Sequence, residues 1–109
     1  MLNISGNNIK LTRGDTAYLS VPITMANGEP YEMQSTDTLT LSVKKWLTDT
    51  EYKFQKTSIG TNTFHIEPSD TKNLEFRKYV YDIQLQTAEG DVFTVIPTSE
   101  FEILTEVTC

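Results

Sequence analysis

The chain holds one cysteine, one histidine, one tryptophan and only three alanines in 109 residues. A single cysteine excludes an intrachain disulfide, and with it a stapled secreted fold or a cysteine-rich zinc site. One histidine cannot supply a cluster of imidazole ligands for a metal. No run approaches the roughly 18 consecutive apolar residues that a membrane span needs. The opening Met1-Leu2-Asn3-Ile4-Ser5 lacks the basic flank and apolar core of a signal peptide. Basic residues are scarce: 9 Lys+Arg stand against 15 Asp+Glu, a net charge of −6. That balance argues against nucleic acid as the main partner, because phosphate binding needs a basic excess. Neither a cofactor, a metal nor a membrane is expected. Apolar residues at 38% and charged residues at 22% are ordinary for a globular chain, and the length fits one core.

Threonine is abundant, with 17 copies. It is β-branched and suits a pleated surface, whereas alanine favours helix, so the composition points to an all-β chain. The patterning agrees. From Thr16 to Met25 the residues Ala17, Leu19, Val21, Ile23 and Met25 alternate with Tyr18, Ser20, Pro22 and Thr24, the period of a half-buried strand. Pro22 lacks a ladder donor, which suggests an edge or a bulge there. Asn27-Gly28 follows as a tight-turn pair. Leu39, Leu41 and Val43 alternate through the next strand, and Tyr52 and Phe54 through a partner, so residues 37–57 read as a β-hairpin. Residues 62–67, 79–85, 92–96 and a last stretch after Pro97 complete the set. The expected architecture is an immunoglobulin-like antiparallel β-sandwich of seven to eight strands, with one short helical turn near residues 69–74 capped by Ser69 or Asp70. A small closed barrel is the alternative. Residues 1–8 are expected to form a flexible arm and residues 9–109 a single domain.

Little in the sequence suggests bond-making chemistry. His65 falls between inward Phe64 and Ile66 and therefore faces solvent, without an evident nucleophile or second polar partner. Glu100 and Glu102, two apart on a strand, belong to its wet face and do not oppose one another across a cleft as glycosidase carboxylates do. Arg13-Gly14-Asp15 spells an integrin tripeptide, but three-residue matches arise often by chance, and it reads as a turn or bulge in which glycine supplies the conformation. Cys109 reads as a terminal thiol. Trp46 and Tyr18 are the aromatic candidates for a sugar-stacking platform, and two are few for that purpose.

Charge is more informative. Residues 1–81 carry 9 basic and 9 acidic side chains, while residues 82–109 carry six acids and no base. Lys44, Lys45, Lys53 and Lys56 make the central hairpin basic. Head-to-tail association, basic hairpin on acidic sheet, is the expectation this segregation supports. The candidate interface is Lys44, Lys45, Trp46, Lys53 and Lys56 on one side and Glu100, Glu102 and Glu106 on the other.

Several motifs occur in a familiar order: Ile9-Lys10-Leu11-Thr12-Arg13-Gly14-Asp15-Thr16, then Asn27-Gly28-Glu29-Pro30-Tyr31, then Tyr79-Val80-Tyr81-Asp82-Ile83-Gln84-Leu85, then Gly90-Asp91-Val92 and Phe101-Glu102-Ile103. This order resembles small β-sandwich structural proteins of tailed phages and prophages of Gram-positive bacteria. It is similar to the amino-terminal domain of upper baseplate proteins. The resemblance implies a non-enzymatic virion component of the tail or baseplate, assembled in the cytoplasm of the bacterial host. Its partners would be other virion proteins and its own copies. It also implies that Tyr79 or Tyr81 forms a tyrosine corner. A carbohydrate-binding module for host-surface glycans is the alternative function.

Overall fold

Strands form wherever apolar and polar residues alternate, and the computed structural model describes them over residues 2–5, 7–24 and 27–105. Among the described residues there are eight: β1 (Leu2–Ser5), β2 (Asn8–Thr12), β3 (Ala17–Ser20), β4 (Thr38–Lys44), β5 (Phe54–Ile59), β6 (Thr63–Ile66), β7 (Lys78–Gln86) and β8 (Val92–Leu104). One helical turn, α1 (Pro68–Thr71), precedes β7. The fold is all-β, as expected. Six strands make one sheet in the order β1-β2-β8-β7-β4-β5, and β3 and β6 make a second. The order β8-β7-β4-β5 opposite β3-β6 corresponds to the two-sheet frame of an immunoglobulin sandwich.

The larger sheet is mixed, which departs from the antiparallel expectation. β2 runs parallel to β8, with Ile9 opposite Phe101 and Leu11 opposite Ile103. The cause is a short turn, Thr12–Asp15, after which the chain crosses to the other sheet and leaves β2 beside the last strand. Gly14 takes φ +82° in that turn, and its N–H donates to Thr71 Oγ1 at 2.8 Å, fixing the turn to α1.

Side chains of one parity fill the space between the sheets. Leu39, Leu41 and Val43 of β4, with Tyr79, Tyr81, Ile83 and Leu85 of β7, face Leu19, Val21, Phe64 and Ile66. Phe101 makes edge-to-face contacts with Phe54 and Tyr81 at centroid distances of 5.8 and 5.9 Å.

Several boundaries differ from the sequence reading. Where a flexible arm was expected over residues 1–8, Leu2–Ser5 is a strand antiparallel to β2, with Leu2 opposite Leu11 and Ile4 opposite Ile9. Both segments share one period-2 pattern. The β4–β5 hairpin is present, but its strands stop at Lys44 and restart at Phe54, so residues 45–53 form a long loop. Asp49 holds that loop locally: its carboxylate accepts the Trp46 N–H at 3.2 Å, and its own N–H donates to the Trp46 carbonyl at 3.0 Å. The stretches on either side of Pro97 are one 13-residue strand. Register shifts opposite Ile83 give β8 extra residues there, and the missing N–H of Pro97 is accommodated in that irregularity. At α1 the cap lies two residues before Ser69 and three before Asp70. Glu67 is the N-cap, and Asp70, inside the first turn, accepts the Glu67 N–H at 2.8 Å.

Tyr79 forms the tyrosine corner. Its hydroxyl accepts the Glu75 N–H at 2.9 Å and donates to the Glu75 carbonyl at 3.2 Å, pinning the loop that enters β7. Burial pushes its pKa above the ordinary 10.0. Tyr81 instead donates to the Asn7 carbonyl, and its burial pushes its pKa up to about 12.

Candidate interaction surface

β2 and β8 run towards one end of the sandwich, and β7 starts there, so that end collects residues 13–16, 45–53 and 67–77. Every basic residue except Lys10 lies at or next to it: Arg13, Lys44, Lys45, Lys53, Lys56, Lys72, Arg77 and Lys78. Asp15, Asp49, Glu51, Glu67, Asp70 and Glu75 accompany them. The opposite end is made by residues 21–24, 27–37, 60–62 and 87–91, and carries Glu29, Glu32, Asp37, Glu89 and Asp91 with no base among the described residues. The molecule measures 43 × 27 × 23 Å. A strand of 13 residues, at roughly 3.3 Å per residue, accounts for that long dimension.

The expected interface residues are only partly brought together. Lys44, Lys45, Trp46 and Lys53 gather at the basic end. Lys44 lies over the Tyr52 ring at 5.0 Å, beside a shallow depression of about 100 Å³ that Leu47 and Asp82 also border. Lys45 pairs with Glu75 at 3.5 Å. Lys56 points to the inner side of β5 and pairs with Asp70 at 3.0 Å, tying the sheet edge to α1. Glu100 and Glu102 do not form a separate acidic pole. Glu100 pairs with Lys78 at 3.9 Å, and Glu102 lies opposite Lys78 on β7 and Lys10 on β2. Glu106 falls outside the described residues. Glu100 and Glu102 are thus interleaved with lysines from neighbouring strands. The acid-only surface comes instead from loops that are distant in sequence.

Two arginines are stacked at the basic end. The Arg77 guanidinium lies 4.3 Å from the centre of the Trp46 ring, and that of Arg13 lies 4.0 Å from the centre of Phe76. Arg13 also donates to the Leu74 carbonyl at 3.3 Å, so the Arg13-Gly14-Asp15 tripeptide is part of a packed turn. Trp46 and Leu47 remain 56% and 64% exposed at the start of the loop.

The acidic end holds an apolar cleft. β7 and β8 extend beyond the reach of the two-stranded sheet, so part of their inner face is uncovered. Phe93, opposite inward Leu85, is 54% exposed for this reason. Ile23, Thr24, Tyr31, Leu85, Thr87, Phe93, Thr94 and Val95 line a space of about 480 Å³. Tyr31 is held on its wall by donating to Asp37 Oδ2 at 2.5 Å, and that hydrogen bond, with burial, raises its pKa. Asp37 also accepts the Gln34 N–H at 2.9 Å. The Thr87 hydroxyl oxygen is buried and has no hydrogen-bond partner. The turn beside the cleft has Gly28 at φ +88°, and Asn27 Oδ1 accepts the Glu29 N–H at 3.1 Å. The lining has no titratable group apart from the Tyr31 phenol, so the cleft is suited to holding an apolar group. Sequence alternation marked Ile23 and Leu85 as inward, but it could not show that their cover stops short.

His65 stacks on Tyr18, with centroids 4.6 Å apart and planes 7° from parallel, on the outer face of the small sheet. Among the described residues no group of three or more His, Cys, Asp or Glu side chains is placed to hold a metal. Compared with known protein families, curated proteins and solved structures, the chain matches none.

Proposed function

We propose that this protein is a non-enzymatic structural component of a phage or prophage virion, of the tail or baseplate, that works through contact with other proteins. The observation that carries the reading is the apolar cleft on a rigid sandwich end, with exposed Phe93 at its mouth. Such a surface recognises apolar side chains of a protein partner, and aromatic anchors in such pockets concentrate binding energy. The Tyr79 corner and the positive-φ turns at Gly14 and Gly28 supply the physical roles that the phage resemblance assigns to those motifs. On this reading the protein is assembled in the host cytoplasm and ends in the particle. Co-expression with the products of adjacent tail genes, followed by native mass spectrometry, tests it. A stoichiometric complex with a tail or baseplate protein is expected, and the absence of any such complex overturns the reading.

A second reading, a module that binds host-surface glycans, is favoured by the exposed Tyr18–His65 stack, since coplanar rings offer a face for sugar stacking. It predicts that cell-wall polysaccharide changes Tyr18 fluorescence and that Tyr18→Ala abolishes the change.

A further inference from the structure

We propose that copies of this chain associate head to tail, the 45–53 loop of one copy seating Trp46 and Leu47 in the apolar cleft of the next. The inference rests on the reading as an assembly protein, and it names the partner and the contact.

Two features of the two ends match. First, charge: Lys44, Lys45 and Lys53 flank the projecting Trp46 and Leu47 and outnumber Asp49 and Glu51 of the same stretch, while Glu29, Glu32, Glu89 and Asp91, with no base among them, belong to the end that holds the cleft. Second, shape: the loop offers adjacent, exposed large apolar side chains, and the cleft offers about 480 Å³ walled by Ile23, Tyr31, Leu85, Phe93 and Val95. Arg77 already supports the Trp46 ring, so little side-chain freedom remains to be lost on docking.

Net charge opposes any self-association, because each copy carries −6. Screening decides the balance. At about 0.15 M salt the Debye length is about 8 Å, a small fraction of the 43 Å molecule. Distant like charges are therefore damped, while opposite charges at the contact meet directly. Because the two patches lie at opposite ends, the contact is heterologous. It propagates into a ring or a filament and does not close as a two-fold dimer.

Sedimentation velocity of the full chain, at concentrations up to about 1 mM and in about 0.15 M salt, tests the proposal. Concentration-dependent oligomers that weaken on raising salt are expected. Leu47→Asp and Phe93→Asp, both at exposed positions, should each weaken association at least about tenfold. Lys53→Glu should weaken it as well, and mixing that variant with Asp91→Lys should restore part of the loss. On a Cys109→Ser background, Leu47→Cys mixed with Phe93→Cys should cross-link, while neither variant alone should. A monomer at all concentrations, unchanged association in both Asp variants, or Leu47–Leu47 cross-links overturns the head-to-tail contact. If the monomer still forms a complex with a tail protein, only this inference falls. If it forms neither, the proposed function falls too.

Discussion

Replacing Tyr79 with Phe removes one hydroxyl and leaves the ring, its burial and the Arg77 guanidinium at 5.6 Å from its centre. No cavity larger than an oxygen atom opens. The loss is therefore the pair of hydrogen bonds to Glu75, one accepted at 2.9 Å and one donated at 3.2 Å. Each ordinary hydrogen bond is worth about 0.5–1.5 kcal/mol net, with a further cost where the abandoned group is cut off from water. Glu75 is itself exposed, so water can reach its backbone and keep that further cost small. The expected destabilisation is about 1–2 kcal/mol, which for a domain near 100 residues lowers Tm by roughly 5–10 °C. Urea unfolding followed by Trp46 fluorescence gives the free energy, and calorimetry gives Tm. Tyr18→Phe, at an exposed phenol, is the matched control and should change neither. A Tyr79→Phe protein within about 0.3 kcal/mol of the parent would refute the assignment of the corner as the pin of this loop.

Glycine substitutions separate backbone strain from steric overlap. Gly28→Ala and Gly90→Ala place a side chain at φ +88° and +92° in open space, whereas Gly60→Ala, at φ +74°, also brings a Cβ to 3.3 Å from the Ser35 carbonyl oxygen. The first two should cost about 1–2 kcal/mol, and Gly60→Ala measurably more, by urea midpoint. Alkali probes the buried phenols. The folded chain holds the Tyr81 proton to about 12 against an ordinary 10.0, so it binds that proton more tightly than the unfolded chain does. Its contribution is intact below about pH 10 and is lost as pH rises towards about 12; a phenolate absorbance titration combined with melting curves should show a flatter decline in Tyr81→Phe. At the sheet edge, a double-mutant cycle on Lys56 and Asp70 should give a coupling of about 0.5–1 kcal/mol that shrinks in high salt. Asp70→Ala should cost about 1 kcal/mol more than Lys56→Ala, because it also strips the Glu67 N–H of its acceptor.

Alternation along single strands was readable because it depends only on neighbouring residues. Leu39, Leu41 and Val43, and likewise Tyr79 to Leu85, are inward in the fold as their parity predicts. Features set by contacts between distant segments were not readable. Trp46 and Leu47 look like a continuation of β4, yet they leave it, because the chain is held in a loop by Asp49 and by the Arg77 stack. Pro97 looks like a strand break, and the extra residues of β8 absorb it. The candidate surface divided in the same way. The basic cluster was legible, since Lys44, Lys45 and Lys53 are close in sequence. The acidic pole was not, since Glu29, Glu32, Glu89 and Asp91 are gathered only by the packing of two separate loops at one end. Glu100 and Glu102 misled for the converse reason, because Lys78 pairs with Glu100 and both Lys10 and Lys78 lie opposite Glu102 on neighbouring strands.

The position of β8 has a consequence for how the protein is made. It is the last of the described strands in sequence but the third in the sheet, and it joins the β1–β2 pair to β7, β4 and β5. During synthesis the earlier strands emerge first as two separate groups, neither able to complete the sheet. Folding must then wait for Phe101 and Ile103 to leave the ribosome and pair with Ile9 and Leu11, across nearly the whole chain. A native state that depends on so remote a pairing forms in a late, slow step, and until then Leu11 and Ile83 stay open to chaperones.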